Sequence, residues 1–347
     1  MNPGLVVKLR PTGPWRCGSS SGAADRVDLI YHSDSLYSAV TWAMGQFGLL
    51  EEWIQATALD PGGAAATFSS CFPFQGDTSF VVPPKTVWPP GASSRVRWKG
   101  ACFVPVSVVG VLLQGAQPLN EERWSVDGQS CCLLPVGARG PFRQGRHLRV
   151  AVDRMGTGVE PHATACLEFA DDAGLWFAVS FAGEAAQQRW AEPIRASLRL
   201  LADSGFGGER ALGWGRSEPP QFAEGTLPGM ILAEDLFAPR PPTEGEESPA
   251  PAERAYWLLS LFSAGPQDVV DWRRGLYSLL RRSGRVDSPV RSGELKKSLE
   301  LVEEGSVIFA SQPPRGSASD VAPDGFPHPV FRAGFALGIP IPWRVTA

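Results

Sequence analysis

The densest set of residues suited to contacting a ligand lies between Asp203 and Arg216, where five glycines are interspersed with two arginines and a tryptophan. Glycine lets one backbone approach another closely, and successive exposed N–H groups form a concave site for an anion. The arginines add charge, and the tryptophan adds a face on which a base could stack. The candidate binding residues of this loop are Gly205, Gly207, Gly208, Arg210, Gly213, Trp214, Gly215 and Arg216. A tight turn packed on its own domain is the alternative interpretation.

The position of this glycine loop in the chain excludes the common nucleotide-binding loops. Apolar residues at helical spacing between Trp190 and Leu201 predict a helix that runs into the loop, and an extended segment follows it. Phosphate-binding loops of ATP and NAD sites have the reverse order, strand before loop and loop before helix. The Lys-Ser/Thr pair of an ATP site is absent, and Arg210 occupies the last glycine position of the dinucleotide pattern.

A second candidate is the pair His32 and Ser33, which stands at the start of a predicted helix. Ser33 is predicted to be the N-cap, Asp34 lies in the first turn, and apolar residues from Leu36 to Phe47 mark one face. A histidine at this position could be a general base for RNA cleavage. More often such a residue is a hydrogen-bonded structural group that holds the turn, and no second histidine lies nearby in the sequence.

The third candidate is a basic stretch followed by an Asp-Arg pair. Four arginines and a phenylalanine occur without any acidic residue, a composition that favours RNA contact through phosphates and a base. The residues are Arg139, Phe142, Arg143, Arg146 and Arg149. A solvated basic hairpin is the alternative. Asp153 and Arg154 follow, and Arg154 could reach a phosphate or the two could pair with neighbouring residues.

Composition limits the function classes. The 347-residue chain has a formal net charge of −4, which argues against nucleic-acid binding by the whole surface but leaves room for a local basic groove. There is no apolar segment long enough to cross a membrane, and no signal peptide is expected. The six cysteines contain no C-x-x-C pair and the four histidines are scattered. We therefore expect free thiols in the cytoplasm, and neither a metal site nor a cofactor.

Local patterns predict an α+β protein. Leu5–Arg10 is predicted to be a strand, and a helix is predicted from about Glu184 to Ala202. Ala165–Phe169 and Leu175–Phe181 are predicted to form a hairpin, and Val269–Arg274 a short helix. The resulting order in the first half, strand, helix, strands, helix, strand, is that of a ferredoxin-like fold.

Domain boundaries follow from composition. Residues 239–251 are rich in proline and glutamate with nothing to bury, which is typical of a linker. We predict an N-terminal domain over residues 1–224, a linker over 225–252 and a C-terminal domain over 253–347. The N-terminal domain carries a large insertion at about residues 80–150.

Several motifs resemble a known family. The loop pattern Gly-x-Gly-Gly-x-Arg-x-x-Gly-x-Gly-Arg from Gly205 resembles the signature of the RAMP proteins of CRISPR effector complexes. His-Ser-Asp-x-Leu-x-Ser-Ala from His32 and the Asp-Arg pair at Asp153 resemble subunit four of the type III-A (Csm) complex. Glu-Gly-Ser-Val-Ile from Glu304 and the run from His328 to Ile341 resemble the closing strands of that subunit. The resemblance does not cover residues 50–135 or the linker.

The resemblance implies two ferredoxin-like, RRM-related RAMP domains, with a thumb-like hairpin in the insertion. It also implies a non-catalytic RNA-binding subunit of an antiviral ribonucleoprotein. The implied partners are the crRNA 5′ tag and nearby target RNA, the large polymerase/cyclase-like subunit and a backbone RAMP subunit, with no membrane. The glycine loop, the basic stretch, Asp153, Arg154, His32 and Ser33 are the implied RNA contacts.

Two alternatives remain open at this stage. One is a RAMP endoribonuclease that processes precursor crRNA with His32 as general base. The other is the equivalent subunit of the related type III-B complex.

Overall fold

The computed structural model describes residues 1–18, 23–115, 119–152, 159–236, 254–288 and 290–343, without the side chains of residues 92–93, 151–152 and 159–160. The elements of the N-terminal region are β1 (Asn2–Leu9), α1 (Ser33–Gln46), α2 (Leu50–Gln55), β2 (Ala66–Phe68), β3 (Phe72–Gln75), β4 (Thr78–Val81), α3 (Ala92–Arg97), β5 (Val104–Pro105), α4 (Val106–Gln114), β6 (Trp124–Val126), β7 (Leu133–Pro135), β8 (Phe142–Val152), β9 (Val159–Phe169), β10 (Ala173–Phe181), α5 (Glu184–Ser204) and β11 (Gln221–Leu227). Short 3₁₀ turns occur at Glu121–Arg123, Arg210–Leu212 and Glu234–Leu236. The elements of the C-terminal region are β12 (Arg254–Leu258), β13 (Val270–Leu276), β14 (Leu279–Arg282), β15 (Leu299–Val302), β16 (Val307–Ala310), β17 (Gly316–Asp320), β18 (Phe331–Phe335) and β19 (Gly338–Ile341).

The N-terminal region is built on an antiparallel sheet with the strand order β11-β1-β10-β3-β4-β5, to which β2 adds by pairing with β10. The central strand β1 buries Leu5, Val7 and Leu9 completely, the alternation expected of a strand with one face in the core. Helices α1 and α5 pack against each other, and α5 lies on β1 and β10. Both helices confirm the sequence-based predictions.

Strands β8 and β9 form a separate two-stranded antiparallel arm, paired from Phe142 with Phe169 to Val152 with Val159. The prediction that Ala165–Phe169 and Leu175–Phe181 form a hairpin is wrong. Both segments are strands, but β9 pairs with β8, whereas β10 pairs with β1, β2 and β3. The reason is burial, since β10 is covered along nearly all its length and lies inside the main sheet.

The C-terminal region has a four-stranded antiparallel sheet with the order β13-β16-β12-β19, and two hairpins, β14-β15 and β17-β18. The prediction of a short helix over Val269–Arg274 is wrong, because residues 270–274 lie in β13, which pairs with β16. Within residues 254–288 and 290–343 the structure contains no helix.

The two regions share one hydrophobic core. Trp257, Leu259 and Phe309 belong to the same buried cluster as the residues of β1, α1 and α5. The Trp257 indole N–H donates to the carbonyl of Val82 at 3.1 Å, and the Ser70 N–H donates to the carbonyl of Leu259 at 2.8 Å. None of the described helices has the length and apolarity needed to cross a membrane.

Candidate nucleic-acid interface

The glycine loop begins where α5 ends. Gly205 adopts a φ of +97°, and its N–H donates to the carbonyl of Leu201 at 2.7 Å. At Gly215, with a φ of +79°, a Cβ atom would overlap the backbone of Phe206, whose N–H donates to the Gly215 carbonyl at 3.0 Å. The loop therefore folds back on itself with a spacing that only glycine permits.

The middle of the loop is packed against a buried arginine. The Gly208 N–H donates to the carbonyl of Arg16 at 2.9 Å, and a Cβ at Gly207 would overlap the same carbonyl. The guanidinium of Arg16 in turn donates to backbone carbonyls, including that of Ala165 at 3.0 Å. At these glycines the packing agrees with the packed-turn interpretation, because the N–H groups of Gly205 and Gly208 already donate hydrogen bonds inside the protein.

The arm meets the glycine loop at Trp214. The imidazole of His147 lies edge-on to the Trp214 ring at 4.9 Å between centroids, and the guanidinium of Arg149 lies over the ring at 5.2 Å. Arg149 also pairs with Glu209 of the loop at 2.9 Å. Two basic segments 60 residues apart in sequence therefore form one surface.

The aromatic residues of the site differ from the prediction. The sequence predicts that Trp214 and Phe142 offer faces to bases, yet Trp214 is 6 % exposed and Phe142 is 3 % exposed. Phe142 packs on Phe169 in the base of the arm at 5.4 Å between centroids. Both rings are covered because they join the arm to the body of the protein, so they organise the surface and offer no free stacking face.

The arginines of the site fall into two groups. Arg143 pairs with Glu168 at 2.7 Å, and Arg210 pairs with Asp287 of the C-terminal region at 3.3 Å. The remaining predicted arginines are exposed, and no ion pair links any of them to another described residue; they are Arg139, Arg146 and Arg216. Gly213, with a φ of +80° and open space where a Cβ would stand, lies on the exposed side of the loop. Asp153 and Arg154 lie outside the described residues.

His32 and Ser33 are buried between the two regions and are not part of this surface. His32 Nδ1 lies 2.8 Å from Glu304 Oε1, which also accepts a hydrogen bond from the Ser70 hydroxyl. Burial alone would lower the pKa of His32, but the Glu304 carboxylate raises it above its ordinary value. Burial likewise opposes ionisation of Glu304, but the charge of His32 holds the pKa of that carboxyl below its usual range.

The contacts of His32 agree with the structural role that the sequence favours, whereas the prediction of Ser33 as N-cap is wrong. His32 occupies the N-cap position with extended backbone and Ser33 is the first helical residue. Ser33 accepts a hydrogen bond from the Leu261 N–H at 3.0 Å, and its own N–H donates to Ser70 at 2.8 Å. The side chains of His32 and Ser33 therefore form hydrogen bonds between the N-terminal and C-terminal regions, and the structure does not support direct RNA contact by either residue.

A buried ionic cluster at the start of α1 is not evident from the sequence. Asp34, the second residue of α1, receives a bidentate contact from Arg282 at 3.0 and 3.1 Å and a further contact from Arg332. Burial opposes ionisation of Asp34, but the two guanidinium groups hold its pKa well below its usual range. Arg282 stands in an arginine-rich stretch, yet it is only 6 % exposed, so its charge is held inside the protein. No local signal links residues 248 positions apart.

Comparison with known proteins supports the family resemblance. Residues 252–341 match the family model of the CRISPR Csm4 C-terminal domain. No curated protein matches the sequence. Several solved structures contain similar chains, and three of them, each at under 20 % identity, illustrate the shared fold. One is the Csm3-Csm4 subcomplex in the type III-A CRISPR-Cas interference complex, with 15 % identity, a TM-score of 0.62 and coverage of 97 % of this chain and 99 % of that chain. The second is the Csm1-Csm4 cassette in complex with cA4, with 19 % identity, a TM-score of 0.58 and coverage of 98 % of each chain. The third is the Csm1-Csm4 cassette in complex with AMPPNP, with 18 % identity, a TM-score of 0.55 and coverage of 98 % of each chain.

The fold over nearly the whole length is therefore that of the similar chains in these Csm1-Csm4 and Csm3-Csm4 structures. More particularly, residues 252–341 match the CRISPR Csm4 C-terminal domain, so this part of the chain carries the domain of that family. The family resemblance seen in the motifs at Glu304 and His328 is confirmed by this domain match, which contains both motifs.

Proposed function

We propose that this chain is a non-catalytic RNA-binding subunit of a type III-A CRISPR interference complex, in which it holds the 5′ tag of the crRNA. The observation that carries the proposal is the convergence of the arm and the glycine loop at Trp214, which assembles arginines from both segments on one surface. With Phe142 and Trp214 buried, affinity comes mainly from phosphate contacts by exposed arginines, and target RNA nearby would meet the arm.

The partners we infer are the large polymerase/cyclase-like subunit and the backbone RAMP subunit. Support comes from the similar chains, which occur in structures of Csm1-Csm4 and Csm3-Csm4 assemblies. This chain would link the two in antiviral defence. We place it in the cytoplasm, which the six free thiols support, since such thiols persist in a reducing compartment.

We further propose that both regions are ferredoxin-like, RRM-related RAMP domains over residues 1–224 and 253–347. Four strands in each region have the same spatial order, which are β11-β1-β10-β3 in the N-terminal sheet and β19-β12-β16-β13 in the C-terminal sheet. When the four strands of each set are numbered along the chain, both orders are fourth, first, third, second. The arm would be the thumb-like hairpin of the insertion. Of the proposed linker, residues 225–227 complete β11 and residues 237–252 lie outside the described part of the chain.

The geometry of His32 favours this function over the endoribonuclease alternative. A general base needs its ring nitrogen within reach of a substrate hydroxyl. His32 is 7 % exposed, and its Nδ1 contacts Glu304. We therefore infer no catalytic role for His32. We expect its replacement to change the stability of the protein, and we expect precursor crRNA to be processed by another protein.

The first test is affinity purification of the tagged chain from its host, followed by sequencing of the bound RNA. We expect short RNAs that share one 5′ tag, together with co-purifying large and backbone subunits. A monomer that cuts repeat RNA would favour the nuclease. A monomer without RNA would mean that the glycine loop is only a packed turn.

The second test measures the site directly. In the reconstituted complex, the double variant Arg146→Ala/Arg216→Ala is expected to weaken binding of tag RNA. It should also reduce the salt dependence, by about 0.7 in the slope of log K against log salt for each phosphate that is no longer neutralised. Arg189→Ala is the matched control, because this exposed arginine lies on α5 about 22 Å along the helix from the loop. Equal effects of the control and the double variant would refute the assignment of this surface.

A further inference from the structure

Three potential metal ligands lie together on the face of the arm that meets Trp214. They are His147 on β8 and Cys166 and Glu168 on β9, and their ligand atoms all lie within 4.8 Å of one another. His147 Nε2 is 3.2 Å from Glu168 Oε1. That separation is close to the edge of a tetrahedron around an ion bound at about 2.0–2.1 Å.

A glycine keeps the space between these ligands open. Gly145 stands opposite Cys166 in the strand pairing. The position that its Cβ would occupy lies 2.7 Å from Glu168 Oε1 and 3.2 Å from Cys166 Sγ. Any other residue at position 145 would fill the gap between the carboxylate and the thiol, so the glycine leaves room beside both ligand atoms.

We propose that this cluster is a Zn²⁺ site in which His147 Nε2, Cys166 Sγ and Glu168 Oε1 are the protein ligands and water takes the fourth position. Imidazole nitrogen, thiolate sulfur and carboxylate oxygen are the donors that zinc prefers in proteins. The thiol of Cys166 lies at the buried end of the site, whereas His147 and Glu168 are partly exposed and form its entrance. The proposal stands independently of the RNA-binding function.

The groups around the ligands are arranged to orient them. Arg143 Nε contacts Glu168 Oε2 at 2.7 Å, which leaves Oε1 turned toward His147. The ring of Trp214 lies against the imidazole of His147 and limits its rotation. Contacts of this kind fix the direction of metal ligands in known sites. A bound ion would therefore cross-link β8 to β9 where the arm meets the glycine loop.

Metal binding at this site must release a proton from Cys166. Only the thiolate binds zinc. The proton release that accompanies metal binding should be detectable as a heat of binding that depends on the buffer.

The experiment is a titration of the full chain, stripped of metal with a chelator, with Zn²⁺ in a calorimeter, repeated with Co²⁺ in a spectrophotometer. We expect one equivalent of zinc, and a cobalt complex with the near-ultraviolet absorption of a thiolate ligand. Cys166→Ser and His147→Ala should each weaken zinc binding by about 100-fold or more. Arg143→Ala, which removes only the orienting contact, should weaken it by about 10-fold.

Matched controls separate this site from general metal binding. Cys102→Ser removes an exposed thiol elsewhere, and His162→Ala removes an exposed imidazole from the same arm; both should bind zinc within about twofold of the parent. Circular dichroism confirms that each variant is folded. The proposal is overturned if the parent takes up no stoichiometric zinc, if the cobalt complex lacks the thiolate band, or if Cys102→Ser abolishes binding while Cys166→Ser does not.

Discussion

The replacement Asp34→Asn tests the ionic cluster that joins the two regions. It removes one negative charge from a carboxylate that is 1 % exposed and that receives contacts from both Arg282 and Arg332. The amide keeps the shape of the side chain and one acceptor oxygen. Two guanidinium groups that are themselves nearly buried lose their counterion, and their desolvation is no longer offset.

The expected cost is large. Removing one partner of a buried ion pair typically destabilises a protein by about 3–5 kcal/mol. Because asparagine still accepts a hydrogen bond, we expect a destabilisation at the lower end of this range, about 3 kcal/mol. This corresponds to a change of more than about a hundredfold in the unfolding equilibrium constant. Because the pKa of Asp34 is lowered in the folded protein, its contribution is present above the unfolded value of about 3.9 and is lost as the pH falls. The difference in the free energy of unfolding between the parent and Asp34→Asn should therefore become smaller below about pH 4.

The assay is urea unfolding followed by tryptophan fluorescence, compared at equal m-value. Glu192→Gln is the matched control, because Glu192 pairs with Arg195 at 2.5 Å but is 71 % exposed. Exposed pairs of this kind contribute less than about 1 kcal/mol. If Asp34→Asn costs no more than this control at pH 7, the reasoning that the cluster holds the regions together is refuted.

Three further predictions concern other sites. The melting temperature of the parent should fall as the pH rises from 6 toward 9. The pKa of His32 is raised in the folded protein, so its contribution to stability is present below the unfolded pKa of about 6.5 and is lost as the pH rises through the folded pKa. His32→Gln should abolish this dependence of the melting temperature on pH. Gly215→Ala should lower the free energy of unfolding in urea by more than about 2 kcal/mol, because both the positive φ and the nearby backbone exclude a side chain. Gly213→Ala should lower it by about 1 kcal/mol, because only the positive φ opposes a side chain there. Iodoacetamide should alkylate Cys131, whose pKa a hydrogen bond from a neighbouring thiol lowers to about 7, well before Cys17, whose pKa burial raises to about 12; peptide mass spectrometry measures the order.

Each of these has a result that would contradict it. A stability profile of His32→Gln as steep as that of the parent would assign the pH dependence to another group. Equal costs at Gly213 and Gly215 would mean that the loop does not pack as tightly as its backbone contacts indicate. Alkylation of Cys17 together with Cys131 would mean that the buried thiol is accessible.

Part of the fold follows from local sequence patterns. The apolar spacing before the glycine loop predicts α5, and the helix found at Glu184–Ser204 matches it closely. The order helix, loop, strand around Gly205–Gly215 also follows from sequence, because helical spacing, glycine and extended chain are each recognisable within a few residues. The family resemblance depends on the same short motifs, read in their order along the chain.

Other features depend on partners far away in sequence. A short apolar and charged pattern predicts a helix over residues 269–274, but the edge of β16 converts them into a strand. The hairpin predicted over Ala165–Phe181 fails for the same reason, since each strand pairs with a different neighbour. Trp214 and Phe142 have the composition of an exposed RNA contact, and only the docking of the arm shows that both rings are covered.

The amino-acid sequence therefore specifies the local elements and the family motifs, because propensity, capping and periodicity act between residues that are close in the chain. The tertiary structure alone decides which distant side chains meet. It brings His32 to Glu304 across 272 positions and the arm to Trp214, and it sets the low pKa of Asp34. These pairings arise from burying a shared core, which forces polar groups at its margin to find partners wherever the packing places them.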